Sequence, residues 1–316
     1  MPKTPDPNSY TRPLNQLVLM EAFVQKVLQD TAFKDEELLK SMVTCEKTLP
    51  QKREMTYSYP DNRQKRYRSD EDRLALRTEI VGELFNQKIL ENDNNIKLGI
   101  GGAMPKEVRK EKKAFILTGL PASGKSWFAS QISQQHGAAI LDSDFAKRKL
   151  PEFHGNPSGA TLVHKESDAI IFPKDDQPKD FETLFEKCVH LGINVVIPKI
   201  GHEPDGIMAL AQTLKGAPWN YKEIHLILVS LDRRLSTSKA IDRFRDNGRY
   251  IPLSLIFDGY SNDPVVTYYR LKRQNATKKG DKKVFTSFGK ILRNPESDEK
   301  NPVDSDPNSP AMTLKY

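Results

Sequence analysis

The sequence predicts an α/β fold, a parallel sheet with crossover helices, preceded by a small N-terminal helical module. Two observations predict it. From residue 114 onward, short apolar runs alternate with longer amphipathic ones, the pattern of strands joined by crossover helices. At the head of that region, Gly119-Leu120-Pro121-Ala122-Ser123-Gly124-Lys125-Ser126 is a complete G-x-x-x-x-G-K-[ST] Walker A loop. The apolar run 114–118 precedes it as a buried strand, and Trp127 to Ile132 follow as the first turns of a helix. Glycines in such a loop let backbone N–H groups converge on phosphates, and the helix N-terminus adds partial positive charge. Lys125 is placed to reach the outer phosphates of ATP, and the Ser126 hydroxyl to ligate Mg2+. The sheet is therefore expected to be of P-loop NTPase type, with residues 119–127 as the ATP-binding set.

The elements follow in order. Residues 1–13 are rich in Pro, Asn and Thr and are expected to be disordered. From Leu14 a helical period begins, with Leu17, Met20, Val24, Val27 and Leu28 on one face. Asp35 precedes a second amphipathic stretch through Leu38, Leu39, Met42 and Val43. A polar connection rich in Tyr and Arg covers 48–68. Ser69-Asp70-Glu71-Asp72 then reads as a capping box that opens a third helix, with Leu76, Ile80 and Leu84 in register. Residues 14–98 thus form the helical module, suited to inhibit in cis, to dock another protein or to support the sheet. A Gly- and Lys-rich hinge spans 99–113, and the P-loop domain spans 114–271. Its expected strands are 114–118, 138–142, 193–198 and 224–231; its helices are 125–135, 160–172, 179–191, 204–214 and 234–247. The tail 272–316, basic and then polar, is expected to be mostly disordered.

Composition excludes several classes. The chain is 37% hydrophobic and 29% charged, and its mean hydropathy is −0.62. No apolar stretch approaches the roughly 20 residues of a membrane span. The first 15 residues lack the apolar segment of a secretory signal, so a cytoplasmic protein without a membrane role is expected. Two cysteines, Cys45 and Cys188, point to a reducing compartment rather than a disulfide framework. Six histidines show no metal-ligand spacing. A net charge of +7 suits partners that bear phosphate.

The chemistry gathers behind the second strand. Asp142 and Asp144 follow it, and ligands bind at the carboxyl ends of parallel strands. A spacing of two along extended chain points both side chains the same way. One carboxylate can serve Mg2+, and the other can take the proton of an attacking hydroxyl. Phosphoryl transfer also needs positive charge on the migrating group. Arg243 and Arg249, flanking a C-cap at Gly248, can supply it. Pro198 ends the third strand and leaves Lys199 and His202 near the site, either to meet an acceptor phosphate or as plain loop residues.

These residues resemble a family. The run from Asp142 to Pro151, D-S-D-F-A-K-R-K-L-P, follows the Walker loop as in the zeta toxin family of P-loop kinases. Gly159 to Glu166, ending in V-H-K-E, is similar to that family's next helix. Arg243 to Pro252 resembles its R-x-R…G-R-x-[VI]-P lid. The resemblance covers about residues 113–271. It implies transfer of the ATP γ-phosphate, with Mg2+, to a sugar hydroxyl of a nucleotide-linked metabolite such as UDP-N-acetylglucosamine, in a toxin restrained by an antitoxin. It further implies that Lys125 and Ser126 hold ATP and Mg2+ and that Asp144 is the general base, which leaves Asp142 as the carboxylate for the metal. Arg243 and Arg249 would neutralise the transferring phosphate, and His164 and Glu166 would line the acceptor pocket. Many members end their third strand in an E-G-T-like motif, whereas this chain has Asn194 to His202 there. The acceptor therefore stays open, with the ribose of NAD as one alternative. A polynucleotide 5′-hydroxyl is another, because Arg63, Lys65, Arg66 and Arg68 interleave with Tyr57, Tyr59 and Tyr67; nucleic acid is the less favoured partner.

Overall fold

The computed structural model describes residues 12–49, 55–178, 181–293, 300–302 and 309–313. Helices α1 (Leu17–Ala22), α2 (Glu36–Lys47) and α3 (Asp70–Asn86) come first. Strand β1 (Lys113–Thr118), helix α4 (Lys125–His136) and strand β2 (Ala139–Ile140) follow. Helices α5 (Ser143–Lys149), α6 (Gly159–Leu162), α7 (His164–Ile171) and α8 (Leu184–His190) lead to β3 (Val195–Lys199). Then come α9 (Pro204–Lys215), β4 (Glu223–Ser230), α10 (Arg233–Asn247) and α11 (Asp263–Ala276). Strands β5 (Ser287–Arg293) and β6 (Lys300–Pro302) complete the sheet.

The sheet order is β2-β3-β1-β4-β5-β6; the first five strands run parallel, and β6 pairs antiparallel at the edge. Central β1 pairs with β3 (Ile116 opposite Ile197) and with β4 (Ile116 opposite Leu226). Helices cover both faces, so Phe115, Ile116, Leu117, Val195, Val196 and Ile197 are all fully buried. Strand β2 is shorter than expected because a helix cap takes over at Asp142, although Leu141 N–H still donates to Val196. Among the described residues, no helix is long and apolar enough to cross a membrane.

The N-terminal helices differ from a single module. Asp35 caps α2 and Ser69 caps α3, each side chain accepting a backbone N–H. Yet Leu76, Ile80 and Leu84 of α3 join the central core, whereas α1, α2 and the π-helical turn Phe23–Leu28 form a second core with residues 240–257. The segment 99–113 is packed rather than loose: Gly102 is buried, and a Cβ there would lie 2.1 Å from the carbonyl oxygen of Gln87. Residues 1–11 lie outside the described residues, as do 294–299, 303–308 and 314–316. Within the stretches expected to be disordered, Arg12 is packed and β5 is a full member of the sheet.

The sheet carries one acid-sensitive site. The ring of Phe115 lies between His136 and His225, at 4.7 and 5.1 Å between centroids. Burial pushes His225 down to about 4 from its ordinary 6.5, against the pull of Glu223 and aided by His136 and Lys113. The unfolded chain therefore binds this proton more readily than the folded one. The stability held by a neutral His225 is fully present above pH 6.5 and is lost as pH falls toward 4. The urea midpoint is expected to be lower at about pH 5 than at about pH 7.5, and His225→Gln to flatten that difference.

Candidate active site

The loop after β1 is shaped by backbone that side chains would block. A Cβ on Gly119 would lie 2.5 Å from the carbonyl oxygen of Val229 on β4. Gly124 caps α4 at φ 90°, where a Cβ would meet Arg293 Nη1 at 2.6 Å. Ala122 also takes a positive φ, 59°. Backbone of this kind turns successive N–H groups toward one concavity at the helix start, a nest for an anion. Lys125 Nζ donates to the carbonyl oxygens of Gly119 and Leu120, both at 2.6 Å. Burial lowers its pKa to about 8, opposed by Asp142 and Asp144 and aided by Arg243, so all four charges share one site. Ser126 is exposed at the second position of α4, and Ser123 Oγ is buried without a hydrogen-bond partner among the described residues. The loop is braced from outside: Pro121 accepts from Ser236 of α10, Ala122 packs on the second core, and Trp127 meets Phe128 edge-on.

The acidic pair departs from expectation. Asp142 and Asp144 do not sit side by side on an extended strand. Asp142 is the N-cap of α5, and its Oδ1 accepts from the Asp144 N–H at 2.9 Å. An Asp in that place satisfies an otherwise orphaned helix N–H, which favours turning over extension. Asp144 then projects from the first turn, and its Oδ1 accepts from Lys147 Nζ at 2.9 Å and Arg249 Nη2 at 2.8 Å. Burial alone would raise the Asp144 carboxyl. The charges of Arg249, Lys147, Arg148 and Arg243 outweigh it and hold the group well below the usual carboxylate range. Asp142 moves the other way, raised by burial and by its negative neighbour. A buried carboxylate raised in this way gains from a cation. A carboxylate and a hydroxyl such as that of Ser126 are hard-oxygen donors, the kind that Mg2+ prefers.

The two arginines converge on the same point. Burial and the charge of Arg249 bring Arg243 down to about 10. Arg249 is nine-tenths buried, and its Nε and Nη1 have no hydrogen-bond partner among the described residues. Unpaired buried donors are costly, and an anionic group set against them would remove that penalty.

On the far side of Asp144, α7 and the end of β3 present a second set of groups. Lys199 Nζ lies 3.6 Å from Asp168 and 3.6 Å from the ring centre of Phe172. His164 opens to solvent, and the charge of Lys147 leads in lowering it to about 4. Tyr57, His164, Lys165, Asp168, Lys174 and Asp176 line a cavity of about 260 Å³, with the Tyr57 hydroxyl donating to Asp176 at 2.6 Å.

Glu166 is not in that cavity, contrary to the expectation for an acceptor contact. It is fully buried and held by Arg73 (Nε–Oε1 2.6 Å, Nη2–Oε2 2.6 Å), Arg77 (2.7 Å) and Thr56. Burial would raise it, but Arg73, Arg77 and Thr56 bring it to about 2. Arg73 also pairs with Glu152, so the network ties α3 to the elements around α7. Removing Glu166 leaves the buried Arg73 with Glu152 alone and takes from Arg77 the carboxylate that its Nε pairs with. Glu166→Ala is expected to destabilise the fold by about 3–5 kcal/mol, read from urea unfolding.

The basic run Lys147-Arg148-Lys149 follows the acidic pair in sequence, where charges usually face solvent. Instead each is buried on a partner: Asp144, Asp93 and Glu83 respectively. Lys147 and Arg293 are site residues that the sequence reading leaves out. The signal for Arg293 is the apolar content of residues 284–292, outweighed there by the lysines before it. Arg63, part of the basic-aromatic stretch, is buried and donates to Thr56 and Asp70, so it offers nothing to a nucleic acid.

Two of the matches with known proteins differ in reach. The Zeta toxin family model matches residues 102–285, more than half of the chain. A solved structure from a study titled as the molecular and structural characterization of the PezAT chromosomal toxin-antitoxin system of Streptococcus pneumoniae is 18% identical. That similarity covers 78% of this chain and 86% of the other, with a TM-score of 0.46. No curated protein matches.

Proposed function

From the premise that this chain belongs to the zeta toxin family, whose members are P-loop kinases, we propose that it transfers the γ-phosphate of ATP to a sugar hydroxyl of a nucleotide-linked metabolite such as UDP-N-acetylglucosamine. The observation that carries the reading is Arg249. It holds the ionised Asp144 with one nitrogen and keeps two buried nitrogens for an anion.

ATP lies with its phosphates on the nest of residues 119–126, where Lys125 leaves its loop carbonyls for the outer phosphates. The acceptor enters from the side of His164 and Lys199, so that its hydroxyl meets Asp144. The hydroxyl oxygen bonds to the γ-phosphorus as the β,γ-bridging P–O bond breaks. The hydroxyl proton passes to Asp144, and ADP leaves with the bonding pair. Arg243 and Arg249 neutralise charge on the migrating group. Mg2+, held by Ser126 and Asp142, would offset phosphate charge. An Asp144 held far below its ordinary range is a weak base. Engagement of Arg249 by the phosphate would loosen its hold on Asp144 and restore basicity where the proton is released. Membership of the family also favours a toxin role with an antitoxin as partner.

The test offers ATP with UDP-N-acetylglucosamine, NAD and a 5′-hydroxyl oligonucleotide in parallel. A phosphorylated sugar nucleotide supports the reading. Transfer to NAD or the oligonucleotide would keep the kinase and replace the acceptor.

A further inference from the structure

The segment that carries both arginines is covered by the first two helices. Ile241 and Phe244 of α10, and Tyr250 beyond it, share a buried cluster with Met20, Val24 and Met42 of the N-terminal segment. Polar ties join the same two parts. Arg12 forks onto Asp258 at 2.8 and 2.9 Å, and its guanidinium lies over Phe23 and Phe257. Arg234 donates to Gln29 at 3.1 Å. The Tyr250 hydroxyl donates to Glu46 Oε1 at 2.5 Å, and Glu46 also accepts from the Leu253 N–H.

The last tie stands next to the chemistry. Gly248 turns the chain at φ 69°, Arg249 follows, and Tyr250 is the next residue, 1% exposed and edge-on to Phe244 at 5.3 Å. A chain fixed one residue beyond Arg249 limits where its guanidinium can point. The observed direction is Asp144. We propose that residues 12–47 are a clamp that positions Arg249, with the Glu46–Tyr250 hydrogen bond as its latch. Glu46 and Tyr250 are then positioning residues, acting on the phosphate only through Arg249. Inhibition by the same helices in cis predicts the opposite sign, since loosening them would raise activity.

The inference rests on the kinase reading for its effect on rate, but the clamp itself is read separately. In the full chain, Glu46→Ala and Tyr250→Phe are expected to lower kcat about ten- to a hundredfold while leaving the KM for ATP nearly unchanged. Glu46→Gln keeps an acceptor oxygen and is expected to restore most of that loss. Amide hydrogen exchange over residues 244–257 is expected to quicken in Glu46→Ala and Tyr250→Phe but not in Glu46→Gln, with β1 unaffected. Unchanged exchange in the first two variants would overturn the clamp, and so would a rise in transfer. Quickened exchange in a protein whose native form transfers no phosphate would support the clamp and count against the kinase reading.

Discussion

Replacing Lys125 with alanine is expected to lower ATP turnover by about 10²–10³ or more. The reason lies in the loop. Its ammonium bridges two loop carbonyls from a buried position, and it is the cation in the P-loop that can swing to the outer phosphates. Arg249 is anchored on Asp144, so it cannot take its place. The fold should survive, because β1 and α4 are held by the central core and not by Lys125. Turnover at the native rate in a folded Lys125→Ala protein would remove the P-loop assignment.

The second large effect is expected from Asp144→Asn. Transfer should fall by about 10²–10⁴ while ATP affinity changes little, because the phosphate nest is built from residues 119–126. The amide keeps an oxygen for Arg249 and Lys147 but cannot accept the hydroxyl proton. A loss of nucleotide affinity as large as the loss of transfer would assign Asp144 to the metal, and Asp142 would then be the helix cap alone. Titration of ATP with and without Mg2+ separates the two.

Much of the site is legible in the sequence because its parts are local. The Walker loop needs glycine where a Cβ would strike Val229 or Arg293, and those needs leave a fixed spacing behind. Asp142, Asp144, Arg243 and Arg249 are also visible as residues, since charges beside a phosphate loop invite a chemical role. What their local pattern does not carry is which side each faces. Asp142 and Asp144 fit a strand by alternation, yet one cap hydrogen bond turns them onto a helix. Glu166 follows a histidine that lines the cavity beside α7, but the partner that claims it, Arg73, lies 93 residues away on α3. Strand β5 was hidden for a similar reason. Its pairing with β4 supplies the burial that the lysine-rich approach to it obscures. Pairings across long sequence separations are set by the packed fold, and local composition says little about them.

The account turns on one product. Intact mass and phosphorus NMR of UDP-N-acetylglucosamine, after incubation with the full chain, ATP and Mg2+, read it directly. The account predicts a sugar nucleotide heavier by one phosphoryl group, a new phosphomonoester signal and equal formation of ADP. Nucleotide bound tightly with no phosphoryl group on this or any other hydroxyl acceptor would contradict it.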